Sequence, residues 1–318
     1  MARERLVSVI VPTHNRPALL RKALASIRAA EGNGLRFEIL VADNGDAPET
    51  KQFVADFDAV YLPVRRQGPS PARNAALAVA SGEFIGFLDD DDEWLPTNVR
   101  NHIAIMDADP DIAAVFGQIV YVDQDLNPIG NPWPAEWPGD AKLFVTLLSG
   151  YYPQLGATVV RASVAKAIGF LDETLIAGED WDWQLRIAVK YRIGFVSQPC
   201  VLTRVRLAGS FDEIQILRAR YATKIFWRHA LPNVLRWRSP LGFARSYIGV
   251  ITHIYDYFVS AVCDRAGMHD RRGARRAVYH AFRLNPVRAT KMLKDPRFFN
   301  AVKAALFRSD QADHAARD

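Results

Sequence analysis

Two hydrophobic periods alternate along the first two thirds of the chain. Residues 6–11 (LVSVIV), 37–42 (FEILVA), 59–63 (AVYLP) and 84–88 (FIGFL) are short apolar runs with the length and composition of buried strands. Between them apolar positions recur every three or four residues. Leu19, Leu20, Ala23, Leu24 and Ile27 predict a helix that Gly32 and Gly34 end, and shorter helices are predicted over 50–57 and 72–80. Thr13 or Asn15 is expected to cap the first helix, with Pro17 in its first turn. Farther along, a helix is predicted over 98–106, strands over 113–122 and 155–160, and helices over 163–167 and from Gly178 onward. This alternation predicts an α/β fold with a mostly parallel sheet and right-handed crossovers, whose ligands sit outside the carboxyl ends of the strands. Three polar clusters fall at such ends: residues 12–15, 43–46 and 89–92.

Beyond Gly209 the pattern becomes helical, which divides the chain into an α/β domain over 1–210 and a C-terminal helical region over 211–318. Residues 241–262 are the most apolar stretch, but Arg245, His253 and Asp256 interrupt it. A membrane span needs about 20 mostly apolar residues, so a buried or interfacial helix is predicted. Residues 271–284 and 291–307 predict a helical hairpin. In the proline-rich loop 131–138, Trp133 and Trp137 either stack on a sugar or plug the loop onto the body.

With 49% hydrophobic and 24% charged residues the chain is globular rather than disordered. Cys200 and Cys263 are the only cysteines, which excludes a disulfide framework or a cysteine-rich zinc site. No signal peptide is read in the opening residues, and a cytoplasmic, reducing location is expected. The net charge of +5 conceals an asymmetry: residues 1–210 hold 20 Lys+Arg against 26 Asp+Glu, and residues 211–318 hold 20 against 9. An acidic body with a basic C-terminal region predicts an anionic partner for the latter.

The strand over 84–88 runs directly into Asp89, Asp90, Asp91 and Asp92. Four adjacent carboxylates repel one another and are costly to desolvate, so at the mouth of a buried strand they call for a cation. Oxygen-only ligands suit Mg²⁺ or Mn²⁺, which share their charge with substrate phosphates. An extended backbone would aim Asp89 and Asp91 to one side and Asp90 and Asp92 to the other. Glu179, Asp180 and Asp182 crowd the first turn of another predicted helix, where capping accounts for one acid and not for three.

Five blocks in order, VSVIVPTHNR, EILVADNGD, SPARNAA, GEFIGFLDDDDEWLP and GFLDETLIAGEDWDWQLR, resemble the inverting family 2 glycosyltransferases of the GT-A fold across residues 6–210. That resemblance implies a nucleoside-diphosphate-sugar donor and a hydroxyl acceptor on a glycan, glycolipid or metabolite. Pro12, Thr13 and Asn15 then lie on the nucleoside side. Asp43 matches the carboxylate that accepts from the base, which suits UDP- or dTDP-sugars, and Arg73 matches the nucleotide-side arginine. The stretch from Leu88 to Trp94 matches the family's LDxDDxW. It implies Asp91 as direct metal ligand, with Asp89 and Asp90 supporting metal and ribose, and Asp180 as the catalytic base. Inversion itself rests on the resemblance.

The chain departs from the family pattern in places. Asp43-Asn-Gly-Asp46 stands where Asp-Asp-Gly-Ser is frequent, and Ala72-Arg-Asn-Ala-Ala76 replaces ARNxG. Leu207 stands where a histidine is common, so Arg204 or Arg206 is expected to substitute electrostatically. The alternatives are a metal-dependent nucleotidyltransferase, disfavoured because residues 12–17 lack a glycine-rich phosphate loop, and a non-catalytic binding module on the same scaffold. For residues 211–318 two readings compete. One is peripheral docking on the anionic inner membrane leaflet through Arg271, Arg272, Arg275 and Arg276, beside exposed Trp227, Trp237, Tyr255 and Phe258. The other is a helical homodimer module. Nucleic acid is not expected, because no stacked aromatic-basic module accompanies the charge.

Overall fold

The computed structural model describes residues 4–32, 34–151, 153–205, 212–233, 240–267 and 270–307. The chain divides into two compact units, one of residues 1–147 with 151–206 and the other of residues 148–150 with 207–318.

The first unit is built on one eight-stranded sheet. Its strands are β1 (Arg5–Thr13), β2 (Leu35–Asp43), β3 (Ala59–Pro63), β4 (Phe84–Phe87), β5 (Glu93–Trp94), β6 (Ile112–Val122), β7 (Thr158–Arg161) and β8 (Arg192–Arg204). They lie in the order β3-β2-β1-β4-β7-β6-β8-β5. The β1–β2, β2–β3, β1–β4 and β6–β8 pairs are parallel. The other three pairs, β4–β7, β6–β7 and β5–β8, are antiparallel. The sheet is therefore mixed, with the predicted parallel part at its amino-terminal side. Central parallel strands are covered on both faces, which is why β1 reads as a nearly continuous apolar run, interrupted by Ser8, rather than an alternation.

Helices α1 (Pro17–Ala29), α2 (Pro48–Val54), α3 (Pro69–Val79), α4 (Asn98–Ala108), α5 (Asp140–Leu148), α6 (Ala162–Ile168) and α7 (Glu179–Lys190) connect these strands. Leu20, Ala23, Leu24 and Ile27 of α1 are fully buried, as their spacing predicts, in a core with Val7, Val9, Ile39, Val41 and Trp94. Gly82 enters β4 so close to β1 that a Cβ would stand 2.5 Å from the Ser8 nitrogen. The predicted cap of α1 is not made. Arg16 is its N-cap residue and makes no side-chain cap. Thr13 is held in β1, and Asn15 sits at φ 53 with its Oδ1 accepting from the N–H groups of Asp46 and Ala47 at 2.8 and 3.1 Å. In the proline-rich loop, Trp133 and Ile119 exchange backbone hydrogen bonds, the half-buried Trp133 side chain packs against the core, and Trp137 stacks on Phe195 with ring centroids 5.0 Å apart, contacts that plug the loop onto the sheet.

The second unit holds α8 (Asp212–Ala230), α9 (Pro240–Gly267), α10 (Arg271–Leu284), α11 (Pro286–Met292) and α12 (Pro296–Phe307). The predicted helix over 291–307 is broken, because Asp295 accepts from Arg297 N–H at 2.8 Å and Pro296 starts a new helix. Small Ala274, Ala277 and Ala281 on α10 are buried where that helix packs on α9 and α12. Tyr255 and Phe258, expected at the surface, are 0% and 2% exposed and belong to this core, whereas Trp227 is exposed and Trp237 lies outside the described residues. Among the described residues no helix is long and apolar enough to cross a membrane.

Candidate active site

The carboxyl ends of β1, β2 and β4 meet at one edge of the sheet. Parallel pairing sets Pro12 beside Ala42 and Thr13 beside Asp43. Asp43 is buried; its Oδ1 accepts from Gly45 N–H at 2.8 Å and its Oδ2 from the Tyr61 hydroxyl at 3.1 Å. A carboxylate has about four lone-pair sites, so acceptor capacity remains for a further donor. Burial and the Asp43 charge both push the Tyr61 phenol up.

The four aspartates do not alternate as predicted. β4 ends at Phe87, and a turn closes with Asp92 N–H donating to the Asp89 carbonyl at 3.1 Å. That turn turns Asp92 toward Asp89 and Asp91, and one carboxylate oxygen from each of the three lies within 4.8 Å of the others. Asp90 points instead at β1: its Oδ2 accepts from Thr13 Oγ1 at 2.8 Å, and its Oδ1 lies 3.1 Å from Arg16 Nη1. Burial pushes the Asp90 carboxyl up to about 6, with Arg16 and Thr13 pulling the other way. The same Arg16 nitrogen lies 2.9 Å from Asp91 Oδ2.

Asp92 is held from outside the turn. Its Oδ1 accepts from Arg204 N–H at 3.0 Å and its Oδ2 from Gln154 Nε2 at 2.9 Å. The Arg204 guanidinium, 2% exposed, donates to the Asp91 carbonyl at 2.7 Å and pairs with Glu93. Arg204, expected to substitute electrostatically for a histidine, is thus the brace of the acidic turn. Arg206 and Leu207 lie outside the described residues.

Arg73, expected on the nucleotide side, is engaged by two acids. It is buried on α3 and links Asp89 Oδ1 at 2.7 Å to Glu179 Oε1 at 2.9 Å. Glu179 opens α7 after Gly178, whose φ of 80 suits glycine at the turn into the helix. Burial raises the Glu179 carboxyl above the usual carboxylate range, reinforced by Asp180 and opposed by Arg73. Asp182 is buried and pairs with Arg186 at 3.1 Å within the helix. Asp180, half-buried, accepts from Trp181 N–H at 2.7 Å, and among the described residues no ion pair holds it. Of the three acids in that first turn, two are bound to arginines and Asp180 is not.

The structure therefore gathers Thr13, Asp89, Asp90, Asp91 and Arg73, and joins them through Glu179 to the helix that carries Asp180. Pro12 and Asp43 line the adjoining strand ends, while Asn15 ties two loops together. Sequence reasoning missed Arg16, Gln154 and Tyr61. Arg16 stood inside the quoted first block, directly after the 12–15 strand end, and the expected convergence of that end with 89–92 was the available signal. Nothing local marks Gln154.

The set of oxygens at Asp89, Asp91 and Asp92 fits a hard divalent cation. Similarity to known proteins agrees with the fold. A glucosyltransferase of Campylobacter jejuni, GalNAc(5)-diNAcBac-PP-undecaprenol beta-1,3-glucosyltransferase, is 44% identical over 96 residues, 28% of this chain and 30% of that protein. S. aureus TarS 1-349 in complex with UDP-GlcNAc superposes with a TM-score of 0.58 at 18% identity, over 98% of this chain and 91% of that one. Glucosyl-3-phosphoglycerate synthase from Mycobacterium tuberculosis, in complex with Mn²⁺, UDP and glucosyl-3-phosphoglycerate, superposes with a TM-score of 0.52 at 17% identity, over 71% of this chain and 80% of that one. Structural likeness at this identity shows a shared GT-A glycosyltransferase fold. The family model for glycosyl transferase family 2 matches residues 8–169, just over half of the sequence. On that match and that fold, the chain belongs to glycosyl transferase family 2 and is a glycosyltransferase.

Proposed function

We propose that this glycosyltransferase moves a sugar from a nucleoside-diphosphate sugar, UDP- or dTDP-linked, onto a hydroxyl of a glycan, glycolipid or metabolite, with inversion at the anomeric carbon. The observation that carries this reading is the buried connection from Asp89 through Arg73 to Glu179, which ties the acidic turn to the helix bearing Asp180. The UDP-GlcNAc of the TarS complex, and the Mn²⁺ and UDP of the synthase complex, support a nucleotide sugar and a divalent cation for this chain too. Asp43, with acceptor capacity left at a buried strand end, suits the N3–H of uracil or thymine. The lipid-linked acceptor named for the Campylobacter relative favours a glycolipid, although that relative is matched over 30% of its length.

Asp91 and Asp89 would hold Mg²⁺ or Mn²⁺, with Asp92 kept in place by the Arg204 backbone N–H and Gln154. When bound, such a cation neutralises the departing diphosphate. Thr13 and Arg16 fix Asp90 beside the ribose side of the site. Asp180 is the general base: it takes the proton of the acceptor hydroxyl as that oxygen attacks the anomeric carbon from the face opposite the diphosphate. Glu179 and Asp182 are tied to arginines, which leaves Asp180 as the acid able to reach an acceptor. The test is a panel of nucleotide sugars with Mg²⁺ or Mn²⁺, reading released nucleoside diphosphate. Release from a UDP- or dTDP-sugar is expected; release confined to purine donors would overturn the Asp43 assignment, and pyrophosphate release would overturn sugar transfer.

A further inference from the structure

Between Asp270 and Asp295 the chain carries eight Lys+Arg and no acid. Helix α10 sorts these residues onto one face. Ala274, Ala277, Val278 and Ala281 are buried, while Arg272, Arg275, Arg276, Tyr279 and Arg283 recur at three- and four-residue steps on the opposite side. Arg275 donates to the Ala305 carbonyl at 2.7 Å. Among the described residues no hydrogen bond or ion pair engages the side chains of Arg272, Arg276 and Arg283, nor those of Lys291 and Lys294 farther along.

This face works against its own helix. Arg271 and Arg272 occupy the first two positions, where the helix dipole disfavours cations. Arg272 and Arg276 stand one turn apart with like charge, a spacing that destabilises helices. A merely solvated helix ordinarily intersperses the two signs. Arg271, Arg272 and Arg276, placed against these local preferences, call for an external anion, and for one that is extended rather than a point: Arg272 to Arg283 spans about 16 Å of helix. Tyr279, in the middle of the stripe, is 61% exposed, and Val287 just beyond is 66% exposed. Aromatic side chains with a polar tip favour the boundary between headgroups and acyl chains.

We propose that the Arg272–Arg276–Tyr279–Arg283 stripe docks on an anionic phospholipid surface. Arginines supply the attraction to the headgroups, and Tyr279 enters the interface. This differs from the docking set expected from sequence: Arg271 and Arg275 have other partners, Tyr255 and Phe258 are buried, and Arg283 replaces them. The proposal does not depend on the sugar-transfer reading, because docking requires neither donor nor acceptor.

Sedimentation of the full chain with vesicles of phosphatidylcholine, alone or mixed with phosphatidylglycerol, tests it at low and high salt. Salt-sensitive binding to the mixed vesicles only is expected. Each basic residue near an anionic leaflet is worth about a five-fold gain in binding, so the triple Arg272→Gln, Arg276→Gln, Arg283→Gln variant should bind about 100-fold more weakly. Tyr279→Ser should weaken binding while leaving its salt dependence intact. Thermal melting of each variant checks the fold, and the single Arg276→Glu variant serves if the triple one melts early. Absence of binding at low salt, equal binding by parent and variants, or equal affinity for duplex DNA overturns the proposal. So does a parent dimer in equilibrium sedimentation that the triple variant abolishes, since the stripe would then be a self-association face.

Discussion

Replacing Arg204 by Met tests whether the acidic turn is held from a distant strand. The substitution keeps most of the apolar stem and removes the guanidinium. Two contacts disappear: the 2.7 Å hydrogen bond to the Asp91 carbonyl and the ion pair with Glu93. A charge-assisted hydrogen bond contributes about 1.5–3 kcal/mol, and breaking one side of a buried pair costs about 3–5 kcal/mol. The Arg204 side chain is 2% exposed, but that of Glu93 is 20% exposed, so water can reach the abandoned carboxylate. The expected loss is therefore at the lower end, about 3 kcal/mol. It should appear as a lower urea midpoint of unfolding. Arg204→Lys, which keeps the charge but not the fork, should lose about half as much. A double-mutant cycle with Glu93→Gln should show coupling of about 1.5 kcal/mol or more. Calorimetric Mn²⁺ affinity should fall about ten-fold in Arg204→Met, because the Asp91 carbonyl no longer anchors the turn; that drop corresponds to 1.4 kcal/mol, about one hydrogen bond. A loss below about 1 kcal/mol, or strict additivity with Glu93→Gln, would refute the brace.

Three further outcomes are expected. Asp91→Ala should abolish sugar transfer and cation-dependent nucleotide binding, measured by calorimetry with and without EDTA; full activity in excess EDTA sinks the metal assignment. Asp180→Asn should bind donor like the parent and lose transfer, since the amide keeps the shape without the basicity; parental turnover would move the base elsewhere. Glu38 is pushed up by burial, but hydrogen bonds from Ser8, Ser81 and Gly82 outweigh this and hold its carboxyl below the usual 4.5. A depressed folded value means stability that is present above pH 4.5 and lost as pH falls through the folded value, so Glu38→Gln should flatten the acid limb of stability against pH below about 4.5, read as urea midpoints.

Much of the first unit is legible in the sequence, because strands covered on both faces must be continuously apolar and helices on a sheet must repeat at helical spacing. The runs now seen as β1, β2, β3 and β4 were readable for that reason, as was the placing of Asp89–Asp92 at a strand end. Capping was less legible: Thr13 and Asn15 carry the right chemistry for α1, but each finds a tertiary partner, Asp90 for one and the 46–47 backbone for the other. In the second unit, spacing placed the helices and not their exposed residues. Tyr255 and Phe258 look the same in sequence whether they face solvent or α10.

The sequence by itself determined which side chains reach the carboxyl ends of the strands, since period and polarity are local properties. Only the tertiary structure decided how those side chains are wired. The antiparallel β7 inserts between β4 and β6, and β5 pairs with β8 so that Glu93 lies opposite Leu202. That order carries Arg204 back onto Asp91, Asp92 and Glu93 across more than a hundred residues, and it leaves the 89–92 segment as a turn instead of an extension. Arg73 bridges Asp89 to Glu179 for the same kind of reason. Buried charges must find partners wherever strand order brings them, and no local pattern records that order.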